Sequence, residues 1–193
     1  MTISHTTLGA NRLMLVGVSI NNDGFETVTS VTWMGSENLS VVGTVANADD
    51  TRVEIWGLVA PSTGAGNVVI TFSAALQEGA VAGVTTFTGV NQSTPLGSFV
   101  SAIGSDSSPA TVNVPSAAGE LVFGVVCAEY QPVVTDPSQT QLWNIRIGAT
   151  TGETNGAGST EAGAAPTVTT SWTLPYPSYN HWAVGGVSIR PSS

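Results

Sequence analysis

The chain contains no lysine; its four cations are Arg12, Arg52, Arg146 and Arg190, set against 13 aspartates and glutamates for a formal net charge of -9. So acidic a balance cannot lay down the cationic footprint that nucleic-acid binding requires, and it disfavours anionic membrane surfaces for the same reason. There is one cysteine, Cys127, so an intrachain disulfide is excluded and stability must come from packing, strand pairing or neighbouring subunits. It stands in the apolar run Leu121-Val122-Phe123-Gly124-Val125-Val126-Cys127, where a small buried hydrophobe is the usual role. No apolar run approaches the roughly 18 residues of a membrane-spanning helix. Charged residues make up only 9% of the chain, too few to assemble several catalytic groups by chance, and histidine occurs twice, at positions 5 and 181. Met1 leads at once into the strand-like Ile3-Ser4-His5-Thr6, leaving no room for the basic and apolar regions of a secretory signal, so none is expected.

Helical periodicity is missing as well. What the chain has instead is alternation of apolar and small polar residues, at Leu13 to Val18, Val28 to Trp33, Arg52 to Val59, Val68 to Phe72, Gly83 to Phe87, Thr111 to Val114, Leu121 to Cys127, Gln141 to Ile147, Thr167 to Leu174 and Trp182 to Ile189. Turn signals separate them, among them Asn22-Asp23-Gly24, Pro61-Ser62-Thr63-Gly64, Gln77-Glu78-Gly79 and Ala117-Ala118-Gly119. Ten or more strands without intervening helices predict an all-β protein, closed as an antiparallel jelly-roll-like β-sandwich. At 193 residues the chain suits one domain, spanning residues 1–193, with both ends in strands. The stretch Gly148 to Pro166, rich in Gly, Ala, Thr and Ser, reads as a long surface loop or frayed edge hairpin. Thr88 to Gly97 reads as a connection between sheets. The turn-to-strand entries at Gly66 and Gly119 look alike over too short a span to define an internal repeat.

Candidate chemistry is sparse. Acyl transfer needs a nucleophile, a histidine base and an orienting carboxylate, and neither His5 nor His181 is accompanied by a G-x-S-x-G elbow; edge or surface positions account for both. There is no His-x-His or H-E-x-x-H pair, and one cysteine cannot build a thiolate site, so no metal or cofactor is assigned. Asn21-Asn22-Asp23-Gly24 and Asn47-Ala48-Asp49-Asp50 gather the oxygens a calcium ion takes, but match no calcium loop, and turns favour the same residues. Arg52, Glu54 and Trp56 share one face of a strand, where an ion pair explains them more simply than a glycosidase acid does. Trp33, Trp56, Trp143 and Trp172 sit in strand patterns and are expected in the core. Tyr176, Tyr179 and Trp182, flanking His181 in a proline-punctuated segment, are the candidate ligand-binding residues, since flat amphipathic rings stack on sugars and anchor interfaces. Trp182 opens an apolar strand and is expected to pack inward. Asn38-Leu39-Ser40 and Asn91-Gln92-Ser93 match the glycosylation sequon, which matters only in a glycosylating secretory system.

Several strings carry a resemblance: Ser4-His5-Thr6-Thr7 with Asn11-Arg12-Leu13-Met14-Leu15-Val16-Gly17-Val18-Ser19, Val53-Glu54-Ile55-Trp56, Gly66-Asn67-Val68-Val69-Ile70-Thr71, Thr86-Phe87-Thr88-Gly89-Val90, Thr94-Pro95-Leu96-Gly97, and Trp182-Ala183-Val184-Gly185-Gly186-Val187-Ser188-Ile189. Together, over nearly the whole chain, they resemble a β-sandwich module that recurs in bacterial surface proteins and phage structural proteins. The resemblance implies the fold more than a mechanism; the sparse charge and the missing catalytic set make a non-enzymatic assembly protein the expectation. A module standing alone with its own Met1 points to a virion component, a capsid decoration or outer-shell subunit. Its expected partners are copies of itself, as a trimer or another homo-oligomer, and a capsid or other protein lattice. The alternatives are a carbohydrate-binding or adhesion module of a bacterial surface protein, with a glycan as ligand, and an extracellular filament subunit.

Overall fold

The computed structural model describes residues 1–21, 25–48, 50–148, 152–176, 178 and 180–192, and every regular element among them is a β-strand. The first half of the chain supplies β1 (Thr2–Thr7), β2 (Leu13–Asn21), β3 (Val28–Trp33), β4 (Glu37–Asn38), β5 (Ser40–Asn47), β6 (Thr51–Val59), β7 (Gly64–Phe72) and β8 (Ala80–Phe87). The second supplies β9 (Val100–Ser105), β10 (Ala110–Pro115), β11 (Leu121–Glu129), β12 (Val134–Thr135), β13 (Thr140–Ile147), β14 (Thr154–Ala162), β15 (Thr167–Thr173) and β16 (His181–Ile189). All pairings between them are antiparallel. The all-β, antiparallel sandwich read from the alternation is therefore present, as four sheets with strand orders β1-β7-β3-β4, β5-β6-β2-β8, β13-β14-β11-β16-β9 and β10-β15-β12.

Alternation within each strand explains how the sheets stack. Met14, Val16, Val18 and Ile20 of β2 pack with Val31, Trp33, Val68 and Ile70 of the first outer sheet. The opposite face of the same strand sends Leu13 and Leu15, with Val53 and Ile55 of β6, into a central core with Phe123, Val125, Cys127, Ala183 and Val187. A third core joins Val122, Val126 and Val184 to Val112, Val114, Val168 and Trp172 of the other outer sheet. The two central sheets are thus covered on both sides, which is why β2, β11 and β16 read as near-continuous apolar runs rather than strict alternations.

The two halves are repeats of one design. Without β4 and β9, the strand orders β1-β7-β3 and β5-β6-β2-β8 recur as β10-β15-β12 and β13-β14-β11-β16. Registers recur too. Pairing of β5 with β6 runs from Ser40↔Gly57 to Asn47↔Thr51 with a bulge between Val41 and Gly43; pairing of β13 with β14 runs from Thr140↔Thr160 to Ile147↔Thr154 with a bulge between Gln141 and Trp143. Across the central core the facing is reciprocal, β2 on β14 as β11 is on β6, and β8 on β14 as β16 is on β6. An approximate two-fold relation between the halves accounts for this. The repeat that short sequence likeness could not define is therefore carried by topology, and the stretches at Gly66 and Gly119 are not its counterparts, because they enter β7 and β11. Thr88 to Gly97 links the halves, crossing from one central sheet to the other as expected, with the bridge Val90↔Pro191 tying it to the chain end.

One expectation is overturned. Gly148 to Pro166 is not a surface loop: it contains β14, an interior strand whose residues Thr154 to Thr160 are buried. Small residues are required there because the Trp143 indole of the paired strand β13 lies over β14 and the facing sheet comes very close. A Cβ on Gly158 would fall 2.2 Å from the Trp143 indole, and one on Gly156 would fall 2.6 Å from Val81 and 2.8 Å from Ser19. Residues 149–151 of this stretch lie outside the described residues.

Candidate functional site

At one end of the central core three strand termini meet. β6 is entered through a tight turn in which the Asp50 amide donates to the Asn47 carbonyl at 3.1 Å, and Ala48 takes a left-handed φ of 46°. β11 ends at Glu129, and β16 begins at His181. Asp50 belongs to one repeat, Glu129 and His181 to the other. The imidazole Nδ1 lies 2.6 Å from Glu129 Oε1 and 3.1 Å from Asp50 Oδ2, so one N–H reaches two carboxylates. Glu129 is only 2% exposed, whereas the Asp50 and His181 side chains retain 30% and 38% of their surface. Burial is the main influence on the Glu129 carboxyl and pushes its pKa up, with the His181 hydrogen bond and charge opposing. The resulting cluster is acidic, mixed in donor type and exposed on the side of Asp50 and His181.

The other end of the two-fold-related interface is arranged differently. Because Asn21↔Thr51 in β2–β6 matches Glu129↔Thr154 in β11–β14, Asp50 corresponds in register to Glu153. Glu153 is buried and ion-paired with Arg146 of its own repeat. Like chain positions thus hold an acid in both repeats, one neutralised by a guanidinium and one facing a histidine and a second acid.

The sequence-derived candidates are scattered. Tyr176 is 71% exposed, with its backbone held by both ends of the Gln131 amide. Tyr179 lies outside the described residues. Trp182 is 6% exposed, its indole N–H shared between the carbonyl and hydroxyl oxygens of Ser107, so it packs inward as its strand pattern indicated and offers no ring face for stacking. The loop Asn22 to Gly24 also lies outside the described residues, as does Asp49. Arg52, Glu54 and Trp56 form the expected structural cluster: Glu54, 1% exposed, accepts from Arg52 Nε at 2.7 Å, from Trp56 Nε1 at 2.9 Å and from the Val28 amide at 3.1 Å. Trp33, Trp56 and Trp172 are buried and Trp143 is partly so, all between layers. Cys127 is buried, its thiol donating to the Ile20 carbonyl, and burial pushes its pKa up to about 12.

His5, the second histidine, stacks edge-on against Trp33, and its Nε2 lies 2.8 Å from Thr86 Oγ1. Burial lowers its pKa, and no carboxylate hydrogen bond or ion pair is recorded for it among the described residues. His181, for its part, has orienting acids but no hydroxyl or thiol bonded to it among the described residues. Each therefore holds part of a nucleophile-base-acid relay and neither holds the whole.

Sequence reasoning assigned His181 an ordinary edge position and missed its grouping with Glu129 and Asp50. Two signals were there: an acid closing the most apolar strand of the chain, and the Asn47 to Asp50 turn already singled out for its oxygens. No protein-family model, curated protein or solved structure matches the chain.

Proposed function

We propose that the protein is a non-enzymatic structural subunit that acts by self-association and by docking on a protein lattice, as a capsid decoration or outer-shell component of a virion does. The observation that carries this reading is where the exposed aliphatic side chains lie. Among the exposed aliphatic side chains within strands, Val41 is on β5, Ile103 on β9, Val134 on β12, and Leu142 and Ile145 on β13, and each of these strands terminates its sheet; Val59, at the end of the interior strand β6, is the exception. A free edge presents unpaired N–H and C=O groups, and proteins that remain apart usually guard such edges with lysine, proline, bulges or covering loops. This chain has no lysine, none of these four strands contains proline, and β5 and β13 carry one bulge each while β9 and β12 carry none. Beside β5 lies a groove of about 560 Å³ of mixed polarity, bordered by Val41, Val42, Val59 and Leu96 together with Asn38 and Ser40. Edge pairing and burial of these residues against identical copies would stabilise the assembled state by mass action, while the net charge of -9 keeps the free subunit soluble.

The test is the native mass of the purified chain by sedimentation and native mass spectrometry across a hundredfold concentration range. A closed oligomer, trimer or larger, is expected. A monomer at every concentration overturns the reading. The exposed Tyr176 favours carbohydrate binding or adhesion as a second reading, which predicts a monomer whose glycan binding is lost on Tyr176→Ala.

A further inference from the structure

We propose that Asp50, Glu129 and His181 form a binding site for one divalent transition-metal cation of zinc type, which bridges the two repeats across the end of the central core. The first support is geometric. One ligand atom from each residue can be chosen so that all three lie within 4.8 Å of one another. Ligands about 2.0–2.2 Å from a tetrahedral zinc lie roughly 3.3–3.6 Å apart, so small rotations of two part-exposed side chains suffice to admit the ion. Nδ1 lies within hydrogen-bond distance of both carboxylates, so the three ligand atoms already converge on one centre.

The second support is an orphaned oxygen. Thr51 is fully buried, and its Oγ1 has no hydrogen-bond partner among the described residues. Period-two alternation places Thr51 on the face of β6 that carries Val53 and Ile55 into the central core. The same alternation places Glu129 with Cys127 and His181 with Ala183, members of that same core, on the faces of β11 and β16 that oppose β6. Cys127 itself donates to the carbonyl of Ile20, the register partner of Arg52, which is next in sequence to Thr51. The unpartnered hydroxyl thus faces the metal-ligating end of the core and is next in sequence to Asp50. A buried polar atom without a partner is costly, and a bound cation with its water supplies the missing one.

Charge gives the third support. Among the described residues the arginines that pair with acids elsewhere are committed, Arg52 to Glu54 and Arg146 to Glu153, and no arginine pairs with Asp50 or Glu129. In the other repeat the register counterpart of Asp50 has a guanidinium beside it; here two carboxylates share a single imidazole. One nitrogen and two carboxylate oxygens match zinc and its neighbours rather than calcium or magnesium, which take oxygen alone. Coordination through Nδ1 places the ring proton of the neutral imidazole on Nε2, and the part-exposed side of the cluster leaves a coordination position for water.

The experiment uses the full chain stripped with chelator, titrated with zinc chloride by calorimetry, with cobalt(II) as an optical probe. Expected are one saturable site per chain, a visible cobalt band that zinc abolishes, and a melting temperature that rises with zinc concentration. His181→Ala and Asp50→Asn, both at part-exposed positions, should each weaken binding at least tenfold while keeping the β-sheet circular dichroism. His5→Ala should bind as the parent does. Absence of saturable binding below millimolar zinc, binding that survives His181→Ala, or saturation by calcium in place of zinc each overturns the proposal.

Discussion

The indole of Trp143 occupies the space a side chain at Gly83 would need, for a Cβ built on Gly83 falls 2.2 Å from the ring. Trp143 follows the bulge of β13, covers its cross-strand partner Gly158 and reaches across the central interface to Gly17 as well as Gly83. Gly83→Ala must therefore push an aromatic side chain or separate two sheets. A loss of about 3 kcal/mol or more is expected in urea unfolding. Trp143→Leu in the same chain should return part of that loss, and a double-mutant cycle measures the coupling; strictly additive effects would show that the ring is not what excludes the methyl.

Glu54 is held by three donors from within the first repeat, and only one of them, Arg52, supplies charge. Arg52→Ala leaves a carboxylate at 1% exposure uncompensated and should cost about 3 kcal/mol. Adding Glu54→Gln to that variant should recover stability, because the buried charge goes with the partner it needed. Equal stability of Arg52→Ala and the parent would mean that the pair is solvated in solution.

Cys127 gives a pH signature. Its folded pKa of about 12 lies above the ordinary thiol value, so the native state holds a proton that the unfolded chain releases. Stability contributed by this group is complete below about pH 9 and falls between about pH 9 and 12 by roughly 1.4 kcal/mol per pH unit. Cys127→Ala should remove that alkaline slope, as read from urea midpoints at successive pH values. At pH 8 the folded protein should resist thiol reagents and react fully in denaturant; rapid labelling without denaturant would contradict the burial.

Strands were legible wherever alternation met branched residues: Val28–Trp33 in the sequence pattern is β3, and the apolar run from Leu121 is β11 with two residues added. β14 was not, because Thr-Asn-Gly-Ala-Gly-Ser-Thr has the composition of a loop. Its residues are small for a tertiary reason, the nearness of Trp143, Val81 and Ser19, and no local pattern encodes that. The repeat was hidden for a related reason. Corresponding positions share hydrogen-bond register but not side chains, as Ser19 opposite Cys127 and Asn21 opposite Glu129 illustrate. His181 and Glu129 are 52 residues apart in the chain, and Asp50 reaches them only because the repeats stack.

Edge strands carry the last prediction. β13 ends its sheet with Leu142 and Ile145 exposed, and β5 holds the corresponding place in the first repeat with Val41 exposed. If these edges are the contacts between copies, a lysine on either should block assembly without unfolding the subunit, since the side chain already faces solvent and a charged edge is what separated sheets ordinarily use. Ile145→Lys and Val41→Lys are therefore expected to lower the native mass, singly or together, while changing the monomer's unfolding free energy by less than about 0.5 kcal/mol. The comparison is with Asn67→Lys on β7, which is flanked by β1 and β3, at a position exposed to solvent. If Asn67→Lys dissociates the oligomer and the edge variants do not, copies meet through the outer sheet face and the edges are free.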